Sequence, residues 1–175
     1  MGDVRPVKSV LPVCAVTFCP GIAVEEVIGQ LETILGSVYD QSPVFLFSFT
    51  LYYAEEMGDE LKKQYFSFVP LSNPGRLPEF KIQTNALESA WSENGKRRVN
   101  LDPGYVTAAK LVLASTKDYT HRIYLGDGIY GDVQLQFRDG CFRAQTWTYP
   151  DYQSDLALTF FHRVRGHILQ EERKQ

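Results

Sequence analysis

The sequence predicts an α+β fold, and three features carry that expectation. Strand-like and helix-like segments alternate through the first half of the chain. Short strands bounded by glycine turns fill most of the second half, and the C-terminal stretch is helically periodic. With 175 residues, 44% of them hydrophobic and 13% aromatic, the chain can bury one full core. The expected architecture is a single α+β domain over residues 1–175 with a long C-terminal amphipathic helix. A mixed or antiparallel sheet of about six to eight strands, with about four helices, accounts for the segments.

Val10–Phe18 is almost wholly apolar and reads as a buried strand, entered past Pro6 and Pro12. Pro20-Gly21 turns the chain. From Ile22 to Gly36, Val24, Val27, Ile28, Leu31, Ile34 and Leu35 form one stripe, Glu25, Glu26, Gln30 and Glu32 face away, and Gly36 supplies the stop. Val44–Tyr53 carries large side chains on both alternating faces and reads as one strand covered on both sides. A short helix over Glu55–Gln64 and a strand over Tyr65–Val69 follow, then a turn at Asn73-Pro74-Gly75. Pro78–Glu93 reads as a helix that opens on proline and ends at Asn94-Gly95.

Strands are then expected near Arg98–Leu101, Lys110–Ser115 and Arg122–Leu125, although Ala108–Ala114 could equally begin as helix. Ile129–Phe137 and Cys141–Trp147 form a pair joined by the hairpin signal Asp139-Gly140. Ser154–Glu172 closes the chain as a helix with Ala157, Phe160, Phe161, Val164 and Ile168 inward.

Composition removes several function classes. No apolar run approaches the roughly 20 residues of a membrane span. The opening Met-Gly-Asp-Val-Arg-Pro-Val-Lys lacks the apolar segment and cleavage site of a signal peptide, so a cytoplasmic protein without membrane contact is expected. Cys14, Cys19 and Cys141 are odd in number and lack a second ligand pair at zinc spacing, so they read as reduced thiols and no metal site is expected. The net charge of −3 argues against nucleic acid as a general partner. Its distribution is uneven: residues 1–95 hold 6 Lys/Arg against 12 Asp/Glu, whereas residues 96–143 hold 8 against 5. The basic region is the one expected to serve an anionic ligand.

Motifs within that region fail as nucleotide machinery. Gly126-x-Gly128-x-x-Gly131 spells the dinucleotide fingerprint, but Asp132–Phe137 after it alternates as a strand, and a helix N-terminus is needed there. Without a kinase catalytic loop downstream, the same string read as a kinase glycine loop also fails. Thr116-Lys117-Asp118 is akin to a guanine-reading motif, yet no phosphate loop exists: before Asn94-Gly95-Lys96 the required glycine is Ala90, and the required hydroxyl residue after it is Arg97. His162 and His167, five apart on the last helix, point in different directions and are poor co-ligands.

Three clusters pass this filter. Asn100-Leu101-Asp102-Pro103-Gly104-Tyr105 puts an amide and a carboxylate at a strand end, Lys117–Arg122 gathers cationic and switchable groups, and Trp147–Tyr152 is an aromatic loop. Within the third helix, Thr84, Asn85 and Glu88 suggest a buried polar network.

These strings resemble a known family. Asn100–Tyr105, Lys110–Tyr119, His121–Leu125, Gly128–Tyr130 and Trp147–Tyr152 carry the likeness, with Tyr52-Tyr53, Glu56-Met57-Gly58, Thr84-Asn85 and Leu87-Glu88. The chain is similar, over nearly its whole length, to domain-of-unknown-function family 4416 of small prokaryotic proteins, sometimes labelled GTP-binding. The resemblance implies no assigned activity, and the missing phosphate loop leaves the label unsupported. Leu51 stands where the family tends to be acidic, and Gly131 where it tends to have alanine.

The leading expectation is a pocket for a small metabolite or nucleotide bearing phosphate or carboxylate, with no cofactor specified. Lys117, His121 and Arg122, assisted by Lys110, would hold the anion, and Asp102, Asp118 and His121 would supply acid–base groups. Asn100, Tyr105, Tyr130, Trp147, Tyr149 and Asp151 would line the site. An RNA- or protein-binding module and a non-catalytic structural subunit are the alternatives.

Overall fold

Leu11–Phe18 (β1) is buried at every position, so it requires a layer on each face and a strand on each edge. A computed structural model, which describes residues 2–49 and 54–174, shows both. After β1 come Val24–Leu35 (α1), Ser37–Gln41 (β2), Phe45–Leu46 (β3), Ala54–Met57 (α2) and Lys62–Val69 (β4). Leu77–Ala90 (α3) leads into the small hairpin of Ser92–Glu93 (β5) and Lys96–Arg97 (β6), then Val99–Val106 (β7) and Lys110–Ser115 (β8). Ile123–Gly126 (β9), Ile129–Arg138 (β10), Cys141–Ala144 (β11) and Asp155–Glu172 (α4) complete the order.

Among the described residues nine strands join in one sheet, ordered β11-β10-β8-β7-β1-β4-β2, with β3 added to β4 and β9 to β10. Every ladder in it is antiparallel. The period of two along β1 divides the core. Cys14, Val16 and Phe18 pack with Val27, Leu31 and Leu35 of α1 and Phe80 of α3. Leu11, Val13 and Ala15 face Phe160, Phe161, Val164 and Ile168 of α4. Helix α4 starts where Ser154 accepts a hydrogen bond from the Ala157 N–H. The result is three layers, with α1 and α3 on one face and α4 on the other.

The α+β class, the buried first strand and the C-terminal helix agree with the sequence, while the strand count and several element boundaries need correction. Of the two sheet types expected, mixed or antiparallel, the sheet is the antiparallel one, and its nine strands among the described residues exceed the expected six to eight. Within the expected strand Val44–Tyr53, only Phe45–Leu46 pairs, and Thr50–Tyr53 lies outside the described residues. The expected helix Glu55–Gln64 ends at Met57, because Gly58 takes a positive φ of 82° and Lys62 already pairs with Phe18. Asn94-Gly95 is the turn of the β5–β6 hairpin, with φ of 52° and 75°, rather than a helix end. Strand β2, absent from the sequence reading, is an edge strand whose residues alternate between exposed and partly buried, so it carries little apolar signal.

Gly104 illustrates how closely β7 and β8 meet. A Cβ there would stand 2.4 Å from the Val112 carbonyl oxygen and 2.7 Å from Leu113 Cδ2. Gly104→Ala is therefore expected to destabilise the protein by about 1–3 kcal/mol through overpacking, read as a lower denaturation midpoint at unchanged m-value.

Candidate functional site

The β7–β8 ladder is short. It runs from Val106↔Leu111 to Gly104↔Leu113 and stops, although β7 continues along β1 as far as Val99↔Phe18. The sequence explains where it stops. Alternation along the strand puts Pro103 on the same edge as Leu101, and proline has no N–H to offer β8 there. Beyond it, α3 takes over the role of the departed strand. The Leu101 N–H donates to Glu88 Oε1 at 2.7 Å, and the Leu101 carbonyl accepts from Lys81 Nζ at 2.8 Å. Lys81 and Glu88 are two helical turns apart on the buried side of α3, in line with Leu77 and Thr84.

The parting of the strands leaves a cleft of about 150 Å³. Lys81, Asn85 and Glu88 come from α3, Arg97 from β6, and Asn100 and Asp102 from β7. The end of β8 and the following loop, through Lys117, form the opposite wall with Asp132 and Tyr149.

An ionic network fills the β7 side. The Arg97 guanidinium grips Glu56 through Nε at 2.7 Å and Nη2 at 2.6 Å, and its Nη1 reaches Asn100 Oδ1 at 2.9 Å and Glu88 Oε2 at 3.3 Å. Asn100 Nδ2 in turn donates to Asp102 Oδ2 at 3.0 Å. Lys81 Nζ stands 3.9 Å from both Glu88 Oε1 and Asp102 Oδ1. Desolvation by burial raises the Glu88 carboxyl above the usual carboxylate range, against the opposing pull of Lys81, the Leu101 N–H and Arg97. The hydrogen bond from Arg97 lowers Glu56.

Arg122 organises the other wall. Its Nε donates to Asp132 Oδ2 at 2.8 Å, its Nη1 to Ser115 Oγ at 2.7 Å and the Lys117 carbonyl at 2.9 Å, and its Nη2 to the Tyr149 hydroxyl at 2.8 Å. Both Arg122 and Asp132 side chains are only 2% exposed. Gln134 Nε2 donates to Asp132 Oδ1 at 2.8 Å, while Gln134 Oε1 accepts from the Tyr149 N–H at 2.9 Å. His121 Nε2 lies 3.3 Å from Asp132 Oδ2, and its ring stacks on Trp147 at 4.8 Å. Burial raises the Tyr149 hydroxyl above its ordinary value, with Arg122 acting in the opposite direction.

The three clusters noted in the sequence thus meet, but not with all their members. Asn100, Asp102, Lys117 and Tyr149 line the cleft. Arg122, His121 and Trp147 stand behind it, and Trp147 Nε1 donates to the Val133 carbonyl. Asp151 is buried elsewhere, 2.7 Å from Lys63 Nζ and 3.0 Å from the Tyr65 hydroxyl. Tyr130 packs edge-on to Tyr124, and Asp118 is exposed; the carboxylate beside His121 is Asp132. Lys110 and Tyr105 line a different groove, between the N-terminal segment and α4.

Lys81, Arg97 and Asp132 line the cleft and were missed from sequence. For Lys81 a signal was present: it and Glu88 sit seven apart on a face otherwise holding Leu77, Phe80 and Thr84, an unusual place for two charges. Among the described residues, no group of three or more His, Cys, Asp or Glu is placed to hold a metal ion. None of their helices is long and apolar enough to cross a membrane.

A family model described as "Domain of unknown function (DUF4416)" matches residues 8–167. The chain belongs to this family. No curated protein and no solved structure matches it. Two strings shared with DUF4416 have structural reasons: Asn100–Tyr105 is where β7 leaves β8, and Trp147–Tyr152 brings Tyr149 to the cleft and leads into α4.

Two outcomes follow for the walls. Arg122→Ala leaves Asp132 buried beside an unfilled space and should cost about 3–5 kcal/mol in chemical denaturation. Glu88 has the opposite pH signature to an ordinary paired carboxylate. Because its folded-state pKa is raised, its contribution is lost as pH rises from the unfolded value through the folded one. The melting temperature of the wild type relative to Glu88→Gln should therefore increase as pH is lowered through that window.

Proposed function

We propose that the cleft binds a small polar metabolite bearing a phosphate or carboxylate, in the cytoplasm of the cell. The observation that carries this reading is the break between β7 and β8, a concave site in mid-sheet at which ionic side chains converge. Lys117, exposed on the rim, supplies positive charge to the anion. The Tyr149 hydroxyl accepts from Arg122, which leaves its own hydrogen to donate into the cleft. Arg122 spends its donors on Asp132, Ser115, the Lys117 carbonyl and Tyr149, so in this reading it positions the wall rather than touching ligand. His121 has the same supporting place. Asp102 is the acid–base candidate at the ligand. The roughly 150 Å³ volume suits a compact metabolite, and a nucleotide would leave most of its bulk outside.

A second reading, docking of a protein partner, draws on β9, whose Ile123, Tyr124 and Leu125 are all exposed. A thermal-shift screen with phosphorylated and carboxylated metabolites separates the two. A ligand at 100 times its dissociation constant adds about 2.7 kcal/mol, a rise of several degrees. The cleft reading expects a hit that Lys117→Ala weakens and that Ile123→Ser leaves intact. Silence across the panel, or a hit indifferent to Lys117→Ala, would refute it.

A further inference from the structure

The register of three central strands builds a polar platform on the α4 face of the sheet. Ala15 pairs with Tyr65 on one side and Asp102 on the other, and two residues further on Thr17 lies between Lys63 and Asn100. Leu11, Val13 and Ala15 face α4, so alternation turns Thr17 the same way. It likewise turns Asn100 and Asp102 away from Val99 and Leu101, which pack on the α1 and α3 side. Ala15 and Thr17 are small, so the middle of the platform is low between the longer side chains on either hand. Tyr65 and Lys63 are both bonded to Asp151 Oδ2. Tyr152 lies beside them, its ring 5.3 Å from that of Tyr65 and 6.4 Å from that of Tyr149. Asn100, Asp102 and Tyr149 line the cleft, so the platform is continuous with it.

Two hydroxyls on this platform are buried without a partner. Thr17 is 0% exposed and Tyr152 1%, yet among the described residues neither Thr17 Oγ1 nor the Tyr152 hydroxyl has a hydrogen bond. Native proteins leave few buried polar groups in that condition, because each forfeits its bonds to water. Burial raises the Tyr152 hydroxyl well above its ordinary value, and Asp102 adds more to that than any other neighbour, so the group keeps its proton and can donate. Asp102 takes one hydrogen bond, from Asn100 to Oδ2, and a carboxylate accepts several. A matching occupant must both accept and donate. An ammonium cannot accept from the hydroxyls, and a carboxylate cannot donate to Asp102, whereas an alcohol does both. We infer that the cleft takes a hydroxylated anion, a polyol phosphate or a hydroxy acid, whose hydroxyl groups meet Asp102, Tyr152 and Thr17. This rests on the reading of the cleft as an anion-binding site and names the rest of the ligand.

The test uses the full chain and two matched pairs of probes, glycerol phosphate against propyl phosphate and malate against succinate, each titrated calorimetrically. In at least one pair the hydroxylated member should bind about tenfold tighter or more, the effect of a hydrogen bond to a charged group. Tyr152→Phe, close in shape, should bring that pair toward parity while the hydroxyl-free probe keeps its affinity. Without ligand, Tyr152→Phe and Thr17→Val should each melt at or above the wild-type temperature, since each removes a buried group that has no partner. That readout separates a ligand site from an internal water, whose lost bonds would lower the melting temperature and leave the preference between probes unchanged. Equal binding within both pairs, a hydroxyl preference that survives Tyr152→Phe, or a lower melting temperature in both variants overturns the inference and leaves the anion site standing. Absence of binding by all four probes overturns both.

Discussion

The rest of the site depends on how one residue's main chain is satisfied. Leu101 sits in mid-sheet with β1 on one side and no strand on the other, and its N–H and carbonyl are buried. Left unpaired, each would cost about 1–3 kcal/mol. Glu88 and Lys81 remove that cost by reaching across from α3, which fixes the helix against β7 in position and in rotation. The same two side chains line the cleft. Structural and ligand-facing chemistry are therefore coupled, because any change in the Lys81–Glu88 pair acts on the fold and on the field inside the cleft together.

The facing wall is built independently. Arg122 ties the end of β8, the middle of β10 and Tyr149 together through one guanidinium, and Tyr119 lies against its face at 4.4 Å. A little further on, the buried Lys63–Asp151 pair secures the turn that carries Tyr149 into α4, with Lys63 enclosed by the rings of Phe47, Tyr65 and Tyr152. Each wall is thus held by charged groups whose partners are protein groups, and the rim groups Asp102, Lys117 and Tyr149 are carried on rigid supports. Such preorganisation lets a small ligand bind without first ordering its site.

Much of this was legible in the sequence where periodicity is strong. The stripe Val24–Leu35, the apolar β1 and the inward row of α4 all announced themselves, and so did the strings at Asn100, Lys117 and Tyr149. Weak or conflicting local signals hid the rest. β2 and β3 owe their pairing to β4 rather than to their own composition. Glu88 could be read with Thr84 and Asn85 as part of a buried network, but what it and Lys81 pair with could not, because their partner is a peptide group whose loss of a strand neighbour only the tertiary fold creates. Arg122 and His121 announced a charge without saying where it points, and Asp132, itself buried, claims both. Pro103 was visible, but its meaning depends on register: on the other edge of β7 it would have interrupted the ladder to β1.

The central position of β1 also governs how the molecule comes together. Its two edges are closed by β4 and β7, both later in the chain, and Leu11 finds Val106 only after everything between them has been laid down. Contacts so distant in sequence carry a loop-closure entropy that must be met before the pairing rewards it, which slows assembly. Until β7 pairs with it, a strand apolar at every position but Thr17 has one edge open to other chains, a state prone to aggregation. The strand that ends this exposure is the one carrying Asn100, Leu101 and Asp102, so the chain acquires its cleft in the same event that seals its sheet.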